Sequence, residues 1–197
     1  MKIVTRTIVL MVSLVTLVGS TMLAQEAAKV SALFQQLQVD GDTRAYRELL
    51  KLGRTSPDAR KYLAANLPRL IEKRATGESL NGWSWVRAVR LAGELKIADA
   101  APALVMWIGL DNMGTATLAL ETRLETDPAG KALVQIGEPS VHALTEVLKN
   151  GNIQQRTSAV YALRLIASTS AEKALRDQLE RESDPSLRSY IEQVIAK

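Results

Sequence analysis

Two stretches of the chain read alike: Ala-Leu-Val-Gln-Ile-Gly at 132–137 and Ala-Leu-Arg-Leu-Ile-Ala at 162–167. Each is followed by a further Ala-Leu pair, at 143–144 and at 174–175. The first stretches are 30 residues apart and the following pairs are 31 apart. Self-similarity at such a period is typical of stacked repeats, in which one repeat alone cannot bury its apolar face.

Helical spacing and turn residues divide each unit into two short helices. Ala129, Ala132, Leu133 and Ile136 recur at i, i+3, i+4 and i+7, which predicts one apolar helix face. A glycine follows at 137, where a positive φ can end a helix, and Pro139 suits the first turn of the next. Each unit therefore reads as a helical hairpin.

Local signals also separate the units. Asn152 and Gln155 have the spacing of a capping box, which predicts a helix over 153–167. Ser183, Asp184 and Pro185 predict the start of a last helix over 186–196. Strand signals are almost absent, since β-branched residues seldom alternate and the chain has one Phe. The predicted fold class is all-α.

Two more units are recognisable upstream. One spans 88–95 with 100–104 and lies 41 residues before the next, the excess falling in 111–127. A looser unit has the sequence Leu-Leu-Lys-Leu-Gly at 49–53, before a helix that begins at Pro57. Pro68 either kinks that helix, predicted over 57–74, or begins a new one, because an interior proline costs about 3 kcal/mol.

The pattern Arg-x-x-Ala-x-x-Ala-Leu-x-x-Ile-Gly/Ala, followed by an Ala-Leu helix, resembles the short HEAT-like repeats of phycobilisome lyases and many unrelated bacterial proteins. Arg156 stands at the repeat arginine and Arg188 at the start of the last helix, whereas Trp85 and Thr126 occupy the upstream positions. The resemblance implies a right-handed α-solenoid of about four HEAT-like hairpins plus a terminal helix. It implies little about activity, because such repeats serve many functions.

The N-terminus reads as a secretory signal. Lys2 and Arg6 precede an apolar run over 8–18, and small or polar residues follow up to Ala24. The predicted organisation is a signal peptide over 1–24, an N-terminal helical region with a degenerate repeat over 25–82, and HEAT-like repeats over 83–197. The alternative is an uncleaved inner-membrane anchor, since 7–25 contains no charge. We therefore expect a periplasmic or secreted protein, with membrane contact only if the segment stays in place.

Composition limits the chemistry. The chain has no cysteine and one histidine, which excludes metal sites that need two such ligands, and we expect no cofactor, metal or catalytic residue. Without residues 1–24, 23 Lys and Arg face 21 Asp and Glu, so nucleic acid is not an expected partner. Arg87 and Arg90 near Trp83 and Trp85 form the nearest basic-aromatic group, in which one Trp is expected to staple helix 83–96 onto the previous repeat.

The stretch 99–110 departs from the repeat. It reads as one helix that has no charge after Asp99 and is apolar on every side, so it must be buried all round. The favoured cover is 111–127. The alternatives are the N-terminal helices and a partner that contacts Met106 and Trp107.

The sequence thus favours an exported, non-enzymatic scaffold that binds a protein or peptide on the surface formed by the second helix of each repeat. Helical phase puts its candidate contacts on two successive repeats, with Arg176 paired to Glu180. These contacts are His142, Glu146 and Lys149 on one repeat and Lys173, Arg176 and Asp177 on the next. The alternatives are a membrane-tethered structural envelope protein and, less favoured, a lyase-type or chromophore-handling enzyme.

Overall fold

A computed structural model describes residues 24–74, 82–110 and 126–196, and across these ranges the regular structure is helical, with no strand. The prediction of an all-α chain is therefore confirmed for the described residues. The proposed signal peptide, apart from Ala24, and the segment 111–125 lie outside them. None of the described helices combines the length and the apolar character that a membrane crossing requires.

The helices are short and follow one another closely. They are α1 (24–40), α2 (Thr43–Thr55), α3 (Pro57–Lys73), α4 (Gly82–Glu94), α5 (Ala101–Val105), α6 (Pro128–Ile136), α7 (Val141–Asn150), α8 (Ile153–Ile166), α9 (Thr169–Arg181) and α10 (Pro185–Ile195). Single 3₁₀ turns over Ala98–Ala100 and Glu138–Ser140 precede α5 and α7.

Side-chain caps define most helix starts. The capping box at α8 is present as predicted: the Asn152 side chain accepts from the Gln155 backbone N–H, and the Gln155 side chain accepts from that of Asn152. Gly137 ends α6 with a φ of 79°, which confirms its predicted role. Side chains of the same type cap α2, α3, α6, α9 and α10, namely Asp42, Ser56, Asp127, Ser168 and Asp184.

The helices contact one another in two series. Along one series α2 packs on α4, α4 on α6, α6 on α8 and α8 on α10. Along the other, α3 packs on α5, α5 on α7 and α7 on α9. Helices that follow one another in sequence also pack together in six pairs, namely α2–α3, α3–α4, α5–α6, α7–α8, α8–α9 and α9–α10. The apolar core is therefore spread along the described chain.

Small residues allow α4 and α6 to pack closely. A Cβ placed on Gly93 would lie 2.8 Å from the Cα of Ala132 and 2.3 Å from the Gln135 side-chain oxygen. Ala132 itself is 2 % exposed. Because a backbone can approach this closely only where no side chain intervenes, Gly93 sets the separation of these two helices.

The prediction of one helix over 99–110 is wrong. The α-helix ends at Val105, and the chain then turns through 106–109 to Gly109, whose φ is 83°. The Gly109 N–H donates to the carboxylate of Asp127 at 2.7 Å, and this carboxylate also caps α6. The stretch is also not buried all round, because Met106 is 48 % exposed. The turn that follows the helix is therefore bonded to a residue 18 positions later in the sequence.

The other boundaries differ by one or two residues from those predicted. Helix α3 continues through Pro68 as one helix, so no new helix begins there. Helix α4 ends at Glu94 rather than at 96, where Lys96 has a φ of 50°. Helices α8 and α10 end one residue earlier than expected, and α10 begins at Pro185 with Asp184 as its cap.

Candidate functional site

Helix α7 presents three of the predicted contact residues. His142, Glu146 and Lys149 are all exposed, as their helical phase predicted. The Lys149 ammonium lies 2.8 Å from Glu146 Oε1. Its hydrogen bond and positive charge hold the pKa of Glu146 below its usual range. Two of the three candidates are thus already paired with each other.

Helix α9 presents the other three. Lys173 and Arg176 are exposed, and Asp177 is half-buried. Arg176 pairs with Glu172 at 2.6 Å, so the predicted pairing with Glu180 is wrong. Both glutamates are four residues away on the same helix face, and the spacing alone does not distinguish them.

A groove between α7 and α9 brings two of these candidates together. It has a volume of about 120 Å³, and Lys149 borders it from α7 while Asp177 borders it from α9. The floor and sides are completed by residues that sequence reasoning did not select, namely Thr145, Leu148, Ala174, Gln178 and Arg181. The α7–α9 groove therefore offers hydrogen-bonding groups of both charges around an apolar base.

Met106 and Trp107 do not border this groove. Trp107 is half-buried, and its ring lies edge-on to that of Trp85 with centroids 5.6 Å apart. The Arg74 guanidinium at the end of α3 lies 4.5 Å from the Trp85 ring and 5.4 Å from that of Trp107. Trp107 therefore contributes to internal packing, whereas Met106 remains accessible. The predicted cover, 111–127, falls mostly on residues 111–125, which lie outside the described residues.

The predicted staple is supported at Trp85. Its side chain is 1 % exposed and packs on Arg74 at the end of α3, so it fastens α4 to α3. Trp83, in contrast, is 62 % exposed and lies over the Arg87 guanidinium at 5.7 Å.

Arg156 forms a largely buried ion pair that the sequence did not predict. Arg156 on α8 donates to both carboxylate oxygens of Glu182 at 3.0 Å. Glu182 also accepts from the Gln178 amide at 2.8 Å and from the Asp184 N–H at 3.0 Å. Burial raises the pKa of Glu182, but these hydrogen bonds and the arginine outweigh burial and hold it below its usual range.

Two larger depressions lie at the ends of the described chain. One of about 470 Å³ is lined by the end of α8, the start of α9 and the last residues of α10, including Arg164, Glu172 and Val194. The other, of about 350 Å³, lies between α1 and α3 beside Val30 and Tyr62. Among the described residues, no group of three or more His, Asp or Glu side chains is placed to hold a metal ion.

The chain matches no protein-family model. No curated protein matches it, and no solved structure does.

Proposed function

We propose that this chain is an exported, non-enzymatic scaffold whose HEAT-like hairpins form a right-handed solenoid and bind a protein or peptide. The hairpins are α2–α3, α4–α5, α6–α7 and α8–α9, with α10 as the terminal helix. The two series of helix contacts support this arrangement, since stacked hairpins place first helices on first helices and second helices on second helices.

The observation that carries the binding proposal is the α7–α9 groove. It lies between the second helices of two successive hairpins, and Lys149 and Asp177 stand on its opposite sides. An extended segment in such a groove can hydrogen-bond to charged groups on both sides while its apolar side chains rest on Leu148 and Ala174. The other four predicted contacts are exposed on the same two helices, namely His142 and Glu146 on α7 and Lys173 and Arg176 on α9.

A substitution that fills the groove tests this function. The exported protein is immobilised and used to recover partners from an extract of the cell envelope, in parallel with a Thr145→Arg variant. We expect a partner recovered by the native chain to be lost with Thr145→Arg and retained with Lys131→Glu, an exposed change on α6. Circular dichroism verifies folding. Equal recovery with all three proteins would contradict a role for the groove.

Met106 provides a second, independent surface for the same test, because it is 48 % exposed. Met106→Asp changes the chemistry of that patch without emptying the core. Trp107→Ala removes a packed ring as well, so its recovery is interpreted only beside its unfolding curve. If Met106→Asp abolishes recovery while Thr145→Arg does not, the binding surface is the one near α5.

Export and cleavage are tested by mass spectrometry of the chain recovered from the periplasm or medium. A soluble periplasmic or secreted protein has an N-terminus near Gln25. An intact Met1 would instead favour the alternative, a membrane-tethered structural protein of the envelope. A lyase-type enzyme, the remaining alternative, has no specific contact of the described residues in its favour.

A further inference from the structure

A row of cations follows one face of α2. Arg44, Arg47, Lys51 and Arg54 are all exposed, and their spacing puts them within an arc of about 80° around the helix axis. The opposite face, with Ala45 and Leu49, is buried in the core. The cations therefore share one side of the molecule rather than surrounding the helix.

Helix α4 extends this row sideways. Arg87 donates to Thr43 Oγ1 at 2.7 Å, and eleven residues further along α2 Arg54 meets Glu94 at 3.3 Å. These two contacts place α4 beside α2, and the two helices run parallel. Arg90, which lies between the two contact points on α4, is exposed beside the α2 row.

Most of this charge is not neutralised within the described chain. Glu94 pairs with Arg54 and accepts from the Tyr46 hydroxyl, and Glu48 pairs with Lys29 of α1 at 3.7 Å. Asp42 caps α2 through the Ala45 N–H. Across the ranges that the structure describes, no carboxylate lies within ion-pair distance of four cations, Arg44, Arg47, Lys51 and Arg90.

An exposed indole borders the same surface. Trp83 is 62 % exposed beside Arg87, and its backbone rests against Gly41, where an added Cβ would lie 2.9 Å from the Trp83 carbonyl carbon. The start of α4 is thus held against the turn between α1 and α2. An indole that has an apolar body and a polar N–H is suited to the boundary between water and lipid.

We propose that this basic face, defined by Arg44, Arg47, Lys51, Arg90 and Trp83, docks on the surface of an anionic phospholipid bilayer. The cations are spread over two neighbouring helices, and those on α2 extend about 10 Å along its axis from Arg44 to Lys51, which matches a planar array of charges. Arginine forks are suited to phosphodiester oxygens, and three of the four unpaired cations are arginines. This surface lies on α2 and α4, so the proposal does not depend on the α7–α9 groove.

Vesicle co-sedimentation tests it. The exported chain is mixed with phosphatidylcholine vesicles that either contain or lack phosphatidylglycerol, and the ratio of the two partition coefficients is measured. An apolar N-terminal segment would raise the partition coefficients for both kinds of vesicle, so it would not by itself produce a preference for phosphatidylglycerol. We expect binding to favour phosphatidylglycerol and to weaken as salt is added.

Charge reversal locates the surface. Arg44→Glu/Arg47→Glu is expected to lower the partition ratio at least about tenfold, because each cation near an anionic leaflet contributes substantially to binding. Lys131→Glu/Arg164→Glu makes the same net charge change at exposed positions of α6 and α8, and is expected to retain the ratio. Equal losses in both variants, or no loss in the first, would overturn the proposal.

Tryptophan fluorescence gives a second measurement. Vesicles containing phosphatidylglycerol should shift the emission to shorter wavelength. Trp83→Phe should remove most of that shift, since Trp85 is already buried and Trp107 is half-buried against it. A poly-glutamate peptide serves as the competing anion. If it binds the basic face while vesicles show no preference for phosphatidylglycerol, the partner is an acidic polypeptide and the bilayer proposal is wrong.

Discussion

The two ends of this chain are made from similar helices but differ in charge and in how their helices are joined. Residues 24–74 and 82–110 carry 13 Lys and Arg against 8 Asp and Glu, whereas 126–196 carry 8 against 9. The near-neutral composition of residues 25–197, with 23 Lys and Arg against 21 Asp and Glu, therefore conceals a basic N-terminal part. Its excess charge is concentrated on α2, α3 and α4.

The ion pairs that join helices also differ between the two parts. In the C-terminal part, Glu182 is buried and receives hydrogen bonds from Arg156, Gln178 and Asp184. In the N-terminal part, the ion pair between Arg54 of α2 and Glu94 of α4 is exposed to solvent. A buried pair is energetically sensitive to loss of either partner, while an exposed pair is not. The Arg156–Glu182 pair is therefore expected to tolerate substitution less well than the Arg54–Glu94 pair.

Loss of the buried pair should have the largest effect. Arg156→Ala leaves the Glu182 carboxylate, whose side chain is 0 % exposed, without its counter-charge. We expect the free energy of unfolding to fall by about 3 kcal/mol. Urea denaturation followed by circular dichroism measures this change. A loss no larger than that of an exposed pair would show that hydrogen bonds from Gln178 and Asp184 alone satisfy the carboxylate.

The same pair predicts a pH dependence. The pKa of Glu182 is lower in the folded chain than its usual value of about 4.3, so its contribution is present above that pH and is lost as the pH falls through the folded pKa. Glu182→Gln should cost about 2 kcal/mol at neutral pH and should lose less stability than the native chain between about pH 5 and 3. Parallel unfolding curves of the two proteins in acid would contradict this linkage.

The joint between the two parts can be tested at Gly93, where α4 meets α6. Gly93→Ala places a methyl group against Ala132 and Gln135, and the overlap should destabilise the fold by about 1–2 kcal/mol. Gly82→Ala is the matched control, since an added Cβ there meets nothing within 4 Å. Thermal unfolding of both variants measures the difference. Equal melting temperatures would mean that the two helices separate without cost.

Sequence reasoning succeeded where the deciding contacts are local. The capping box of Asn152 and Gln155 and the helix end at Gly137 depend on residues three or four positions apart, and both are present. It failed for the helix predicted over 99–110, where the turn at Gly109 is bonded to the distant Asp127.

Long-range pairings were missed for the same reason. Arg156 could be assigned a place in the sequence pattern, but its partner Glu182 lies 26 residues later, directly after α9. Helical phase correctly predicted that His142 and Lys149 are exposed. It could not predict that Lys149 lies across the groove from Asp177, because that depends on how α7 packs on α9. Phase on a single helix gives the direction of a side chain and not the distance to its neighbour.

Removing the capping box should have a smaller effect than breaking the joint. Asn152→Ala leaves the first N–H groups of α8 to water and should cost about 1 kcal/mol. Asn152→Asp keeps a side-chain acceptor and is expected to retain the native stability. Chemical denaturation compares them. If the aspartate variant is as unstable as the alanine one, the side-chain amide serves another purpose than capping.

Loss of the exposed pair should have the smallest effect. Arg54→Ala removes a guanidinium whose side chain is 58 % exposed, and Glu94 still accepts from the Tyr46 hydroxyl. We expect a loss of about 0.5 kcal/mol or less in the free energy of unfolding. Measured beside Arg156→Ala by the same urea titration, this variant isolates burial as the cause of the difference between the two parts. If Arg54→Ala and Arg156→Ala lower the free energy of unfolding equally, burial does not explain the difference between the two ion pairs, and the two parts differ in charge alone.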